Sequence, residues 1–114
     1  MARKRETIRF EVNVNGTPSV VAGVPYGVLN TIVTWVRRDP AKWHGHGTLD
    51  EWSEETLSVS LGGIDGRTNE YVDWLIQPLS DGDEVRITVL GPGQCDDPIR
   101  RRWTDQSLRL RHLK

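Results

Sequence analysis

The sequence predicts an α+β domain in which one main helix packs on one face of a mixed β-sheet. Residues 8–14 and 85–90 alternate apolar and polar side chains, which is typical of strands that lie on a core. Between them, residues 26–38 repeat apolar side chains at three- and four-residue spacing, which indicates an amphipathic helix. The predicted order is strand, strand, helix, strand, short helix, strand, followed by a basic C-terminal tail or helix.

The first two strands are predicted to form a hairpin. Asn15-Gly16 joins them, and both residue types accept the left-handed backbone conformations that a type I′ turn requires. Residues 19–24 form the return strand, and Pro18 stands at its start, where a missing N–H is tolerated.

The main helix is predicted to end at Asp39-Pro40, because the residue before a proline is pushed out of the α region. Its β-branched residues lower its intrinsic helix propensity, so packing against the sheet has to stabilise it. The side chains expected on its apolar face are Val28, Leu29, Ile32, Trp35 and Val36.

The second half of the domain begins after a long connection over residues 40–55. A third strand is predicted over residues 57–61, and Gly62-Gly63 is expected to stop it. A short helix capped by Thr68 comes next. Its apolar side chains would be Tyr71, Val72, Trp74 and Leu75.

The composition indicates one cytoplasmic domain. A chain of 114 residues can bury a modest core without disulfides or metal, and its single cysteine, Cys95, fits a reducing compartment. No apolar run is long enough to span a membrane, and no apolar segment follows the basic start, so neither an anchor nor a secretory signal is expected.

The net charge of −1 hides an uneven distribution of charges along the chain. Residues 6–98 hold fifteen carboxylates against six basic side chains, whereas residues 1–5 and 99–114 are strongly basic. We therefore divide the chain into a basic extension over residues 1–6, a domain over residues 7–91 and a basic tail over residues 92–114.

The order of elements resembles the β-grasp, or ubiquitin-like, superfamily over residues 7–91. The acidic turn and strand at residues 79–85 resemble the segment before the last strand of sulfur-carrier proteins of molybdopterin and thiamine synthesis. The chain is also similar to small bacterial proteins that carry the series Gly-Gly-Ile-Asp, Trp-Leu and Gly-Asp-Glu-Val, here residues 62–65, 74–75 and 82–85. The resemblance implies a long helix across one sheet face, the first and last strands paired in the middle, and the other face open to partners.

Sulfur carriers and ubiquitin act through a free C-terminal diglycine, and this chain departs from that pattern. Gly91-Pro92-Gly93 stands at the matching place, more than twenty residues follow it, and the proline stiffens the segment. The resemblance therefore implies a covalent modifier or sulfur carrier only if the chain is trimmed after Gly93.

No catalytic or metal-binding constellation is expected, and no cofactor is implied. His44 and His46 could supply two imidazoles to a metal, but no second pair of ligands accompanies them, so a metal site and a polar loop both stay open. Cys95 precedes Asp96-Asp97, whose charges should raise its pKa and make it a poor nucleophile. The glycine-rich residues 62–66 lack the Lys-Ser/Thr pair of a phosphate-binding loop.

The sequence favours a non-enzymatic protein-interaction module. Large aromatic side chains that a small domain cannot bury are natural interface anchors. The alternatives are the trimmed modifier and a small nucleic-acid-binding protein, in which guanidinium groups neutralise phosphates and a tryptophan stacks on a base. A homodimer formed through an exposed strand edge also stays open. The candidate partner-binding residues are Trp43, Trp52, Arg100, Arg101, Arg102 and Trp103.

Overall fold

A computed structural model describes residues 7–39, 41 and 55–103 of the chain. These residues form seven β-strands in two antiparallel sheets, and they contain no α-helix. The strands are β1 (Arg9–Val14), β2 (Val20–Gly23), β3 (Gly27–Arg37), β4 (Glu55–Asp65), β5 (Glu70–Pro78), β6 (Val85–Leu90) and β7 (Arg100–Trp103).

Sheet A has the strand order β2-β1-β6 and begins with the hairpin that the sequence predicts. Asn15 and Gly16 have φ angles of 56° and 71°, as a type I′ turn requires. The Asn15 side-chain amide also donates a hydrogen bond of 2.9 Å to a carboxylate oxygen of Asp83, in the turn before β6. The predicted hairpin and the predicted strand over residues 85–90 are both confirmed.

Sheet B has the order β3-β4-β5-β7, and its two longest strands form one continuous hairpin ladder. β3 and β4 pair over eleven residues each, from Gly27 opposite Asp65 to Arg37 opposite Glu55. The prediction that Gly62-Gly63 stops the third strand is wrong, because β4 runs through both glycines. They are needed there for close packing: a Cβ atom at position 62 would lie 2.6 Å from the carbonyl oxygen of Val72 on β5.

The core lies between the two sheets, which pack face to face and approach each other where β2 meets β5. Trp74 closes the core at this side, since its indole N–H donates a hydrogen bond of 2.7 Å to the carbonyl oxygen of Asp96. The buried core side chains are Val12, Ala22, Leu61, Val72 and Trp74, with Phe10, Val20, Val24, Leu29, Leu75 and Val85 packed against them.

Both predicted helices are wrong. The main helix expected over residues 26–38 is strand β3, and the short helix expected after Thr68 is strand β5. Six of the nine residues from 28 to 36 are Val, Ile or Thr, and such side chains lose rotamer freedom in a helix but fit a pleated sheet. No helix in the described part of the chain is long and apolar enough to cross a membrane.

The β-grasp fold class is therefore also wrong for this chain. A β-grasp domain has one mixed sheet covered by a helix, whereas here two antiparallel sheets cover each other. β1 and β6 do pair, and β1 is the middle strand of its sheet, but the pairing is antiparallel. The architecture is a β-sandwich, with three strands in sheet A and four in sheet B.

Residues 92–103, which belong to the predicted basic tail, return to the sandwich. The backbone N–H of Asp96 donates to the carbonyl oxygen of Val21 at 2.9 Å, and the N–H of Ile99 donates to that of Asp73 at 2.8 Å. β7 then pairs with β5 and completes sheet B.

Candidate protein interface

The four edge strands of the sandwich differ in how their free edges are covered or charged. The β2 edge is covered, because the N–H of Val21 donates to a carboxylate oxygen of Asp96 at 2.8 Å. β7 consists of three arginines and a tryptophan, and β6 is six residues long with Arg86 in its sequence. β3 is eleven residues long, and residues 28–36 carry no charged side chain. An edge of this kind is a ready template for pairing with another strand.

β3 is hydrogen-bonded to β4 and to no other strand within the described residues. In an antiparallel sheet the backbone N–H and C=O groups alternate between the two sides of a strand, so half of those on β3 point away from β4. These groups form the backbone part of the candidate site.

The outer face of sheet B contains a shallow groove of about 260 Å³ beside β3. Val28 and Ile32 of β3 form one wall, and Ile32 is 47 % exposed. Tyr71 and Arg102 form the opposite side, where the Arg102 guanidinium lies 5.1 Å from the centre of the Tyr71 ring. The floor is low because Gly62 has no side chain. The groove can accept one or two apolar side chains from a partner strand, with a cation and a ring at its rim.

The inner face of β3 is also left partly uncovered near its C-terminal end. Val33 lies opposite the fully buried Val59 and is 55 % exposed, and Trp35 is 58 % exposed. The Trp35 indole N–H donates to a carboxylate oxygen of Glu55 at 2.6 Å, which orients the ring over a cleft of about 230 Å³ beside Leu57. Among the described residues, β3 therefore presents apolar side chains on both faces of an edge that no other strand pairs.

The arginines of β7 meet carboxylates of the same sheet. Arg100 and Arg102 lie 2.8 Å and 3.8 Å from a carboxylate oxygen of Asp73. Arg101 lies 3.2 Å from a carboxylate oxygen of Asp65 and 3.3 Å from one of Glu70. The positive charges that the sequence offers to a phosphate backbone are thus offset locally by carboxylates.

Asp65 is the centre of this charge cluster and is only 1 % exposed. Side-chain hydrogen bonds from Arg67, at 3.0 Å and 3.2 Å, are the largest cause that lowers the pKa of Asp65 from 3.8 to about 2. The Arg67 backbone N–H and the Arg101 guanidinium act in the same direction, while burial opposes them. The cluster ties the β4–β5 turn to β7.

The remaining predicted partner contacts and ligands divide into two groups. Trp103 ends β7, opposite Glu70 of β5. Trp43, Trp52, His44 and His46 lie outside the described residues. The described part of the chain holds no group of three or more His, Cys, Asp or Glu side chains that could bind a metal ion.

Gly93, the conjugation terminus in the modifier hypothesis, lies against the side chain of Arg9. A Cβ atom at position 93 would be 2.6 Å from the Arg9 guanidinium carbon. Arg9 also donates hydrogen bonds to the carbonyl oxygens of Gly91, at 2.6 Å, and Gln94, at 2.8 Å. Trimming after Gly93 would remove Asp96 and the whole of β7 from the sandwich.

Cys95 has a raised pKa, mainly because it is partly buried. The charge of Asp96 adds to the rise, whereas the Arg9 guanidinium lowers the pKa. The rise predicted from the sequence is confirmed in direction, but burial contributes more to it than the predicted cause, the neighbouring carboxylates.

Comparison with protein-family models, with curated proteins and with solved structures finds no match to this chain.

Sequence reasoning missed β3 as a candidate site, because it assigned those residues to a helix. The signal that could have found it is the uncharged run over residues 28–36 together with its β-branched content. The β-branched content favours a strand over a helix, and an uncharged strand at a sheet edge is a candidate for pairing with another chain.

Proposed function

We propose that this chain is a non-enzymatic protein-interaction module of the cytoplasm whose partner adds a strand along the edge of β3. The observation that supports the proposal is the β3 edge, which no other described strand pairs, which is eleven residues long and which is uncharged over residues 28–36. In strand addition the partner's backbone satisfies the outward N–H and C=O groups, and this supplies affinity that depends little on sequence.

Side chains on the two faces of β3 supply specificity. A partner strand beside β3 places alternate side chains over the outer groove, next to Ile32, and over the inner face, next to Trp35. The outer groove is lined mainly by apolar surface and has Arg102 at its rim, whereas Glu55, Ser80 and Asp81 line the cleft beside Trp35. We therefore expect the partner segment to be extended, with an apolar side chain over the outer groove and a less strictly apolar one beside Trp35.

The contrast with the β2 and β7 edges supports β3 over those two. The β2 edge is covered by Asp96, and the arginines of β7 place fixed positive charge along its edge. Charged edge strands resist pairing with another chain, because pairing removes the charges from water.

The test compares two lysine variants on the edge strands of the two sheets. Ile32→Lys places a charge on β3, and the control Val89→Lys places one on β6, where Val89 is 64 % exposed. Each full-length chain carries an affinity tag, is expressed in its own cells beside an untagged copy, and is isolated with its bound proteins. We expect the bound proteins to be retained by the unmodified chain and by Val89→Lys, and lost with Ile32→Lys.

Two results would overturn this function. One is a set of bound proteins that Ile32→Lys leaves intact. The other is recovery of the tagged chain alone, with neither another protein nor the untagged copy. Circular dichroism of both variants checks that each retains the sheet content of the unmodified chain.

A further inference from the structure

We propose that the strand added to β3 is β3 of a second copy of this chain, paired antiparallel about a two-fold axis at Ile32. This inference rests on the proposed function and names its partner. The pairing joins the two copies of sheet B into one continuous sheet, with four strands from each copy.

The outer face of β3 matches itself in this register. Residues directly opposite each other in an antiparallel pair share a face, so the outer face of one copy continues into that of the other. With Ile32 opposite Ile32, Asn30 lies opposite Thr34 and Val28 lies opposite Val36. Polar side chains meet polar ones, and apolar side chains meet apolar ones.

The inner face brings together mainly apolar side chains, with one polar residue, Thr31, opposite an apolar one. Leu29 lies opposite Trp35 of the second copy, and Thr31 lies opposite Val33. Trp35 and Val33, which are both more than half exposed, gain an apolar strand as a neighbour. Aromatic–aliphatic and β-branched pairs of this kind stabilise antiparallel sheets.

Neighbouring registers are poorer. An axis one residue later, at Val33, sets Leu29 against the charged Arg37 and Asn30 against Val36. An axis one residue earlier, at Thr31, sets Asn30 against Ile32. Each mismatch places a polar or charged group against an apolar one.

The position of charge also favours the antiparallel arrangement. Arg37 is the charged residue of β3 and stands at its C-terminal end. Antiparallel pairing about Ile32 separates the two Arg37 side chains by about ten residue steps, or about 34 Å. Parallel pairing would set the two arginines side by side, and like charges in that position are destabilising.

The experiment measures the mass and the cross-linking pattern of the full chain. Analytical ultracentrifugation over a hundredfold concentration range gives the dimer dissociation constant for the unmodified chain, for Ile32→Lys and for the conservative Ile32→Val. We expect a dimer whose dissociation constant rises at least tenfold with Ile32→Lys and changes less than threefold with Ile32→Val.

Cysteine cross-linking then tests the register. In a Cys95→Ser background, single cysteines replace Asn30, Ile32 or Thr34 on the outer face, or Val89 on β6 as the control. Diamide oxidises pairs of thiols to disulfides and takes up the two hydrogens. Because only a residue on the two-fold axis lies opposite its own copy, we expect Ile32→Cys to form the covalent dimer fastest.

The outcomes separate this inference from the proposed function. One outcome is a chain that is monomeric at every concentration, yet binds another protein through β3 and loses that protein with Ile32→Lys. This result would overturn only the proposal that the partner is a second copy of the chain. A monomer whose β3 edge binds no other protein would overturn both the proposed function and the proposed dimer. This holds even if another part of the same chain covers the edge. A third outcome is a dimer that Ile32→Lys leaves intact and that cross-links best at Val89→Cys. It would overturn both the proposed strand addition at β3 and the proposed β3–β3 dimer.

Discussion

The two edges of sheet B are built from opposite kinds of sequence. At one edge, β7 is four residues long, carries three arginines and is held by carboxylates of β5 and of the end of β4. At the other edge, β3 is eleven residues long and is uncharged over residues 28–36. Both strands belong to the same sheet, so a general property of the sheet does not explain the difference.

Of the two edge strands of sheet B, β7 carries most of the charged side chains, and charge on an edge strand opposes its pairing with another chain. The arginines of β7 disfavour pairing of this edge with another strand. Ion pairs with Asp65 and Asp73 offset the repulsion among those arginines. The opposite edge lacks these features and has apolar side chains on both faces. This difference between the two edges is the observation on which the proposed strand addition at β3 rests.

The largest change we expect comes from removing the charge that holds β7. Asp65→Asn should lower the free energy of unfolding at pH 7 by about 2 kcal/mol, which follows from its lowered pKa of about 2. Urea unfolding followed by tryptophan fluorescence measures it. Asp81→Asn, at an exposed turn carboxylate, is the control and should change the free energy by less than about 0.5 kcal/mol. Equal effects of the two variants would mean that the cluster does not hold β7.

The same carboxylate predicts a pH dependence of stability. Because folding lowers the pKa of Asp65 from 3.8 to about 2, its contribution is complete above about pH 4 and is lost as the pH falls through 2. The unmodified chain and Asp65→Asn should therefore differ at pH 7 and converge in stability towards pH 2. A difference that stays constant over this range would contradict the assignment.

A smaller loss of stability should follow when the β2 edge of sheet A is uncovered. Asp96→Ala removes the carboxylate that accepts a hydrogen bond from Val21 on β2 and should cost about 1 kcal/mol. Thermal unfolding of Asp96→Ala beside its neighbour variant Asp97→Ala measures this difference. If both variants unfold at the same temperature, the carboxylate does not stabilise the β2 edge.

Removing one charge from β7 should make its edge more prone to pair with another chain, as an uncharged edge such as β3 is. Arg102→Thr loses the contacts to Asp73 and Tyr71, and because the Arg102 side chain is 54 % exposed we expect a loss of only about 0.5 kcal/mol in stability. Self-association should nevertheless increase, because the edge has lost a protecting charge. Light scattering measured against protein concentration detects self-association. Unchanged scattering would show that the charge of Arg102 alone does not prevent self-association.

The smallest effect on stability should come from Thr34→Lys on β3. Thr34 is exposed on an edge strand, so the free energy of unfolding of the monomer should change by less than about 0.5 kcal/mol. Self-association at high concentration should fall. A loss above about 2 kcal/mol would show that the chain itself already buries this part of the edge.

Local signals predicted the parts of the fold that depend on local chemistry. Asn15-Gly16 identified its turn because both residues accept positive φ, and the alternation of residues 85–90 identified strand β6, although Ile87 and Val89 are largely exposed instead of lying on a core. β3 was mistaken for a helix because Leu29, Ile32 and Val36 satisfy helical spacing while both faces of the strand are apolar. Periodicity cannot separate the two structures in such a run.

The candidate site was harder to predict than the fold. The charge of Arg101 was visible in the sequence, but Asp65, the carboxylate that it meets, lies thirty-six residues earlier in the chain. Only strand order brings the two together, and the predicted order contained helices in place of β3 and β5. With those strands missing, neither edge of sheet B could be recognised.

The position of β1 in the middle of sheet A has a consequence for how the protein folds. β1 pairs with β2 across a short turn, but its other edge pairs with β6, and Val14 meets Val85 only after all of β3, β4 and β5. Pairings this distant in sequence slow folding, because the chain must close a long loop before the contact forms. During synthesis, the β1–β2 hairpin can therefore form early, while sheet A is completed only after the ribosome has made β6.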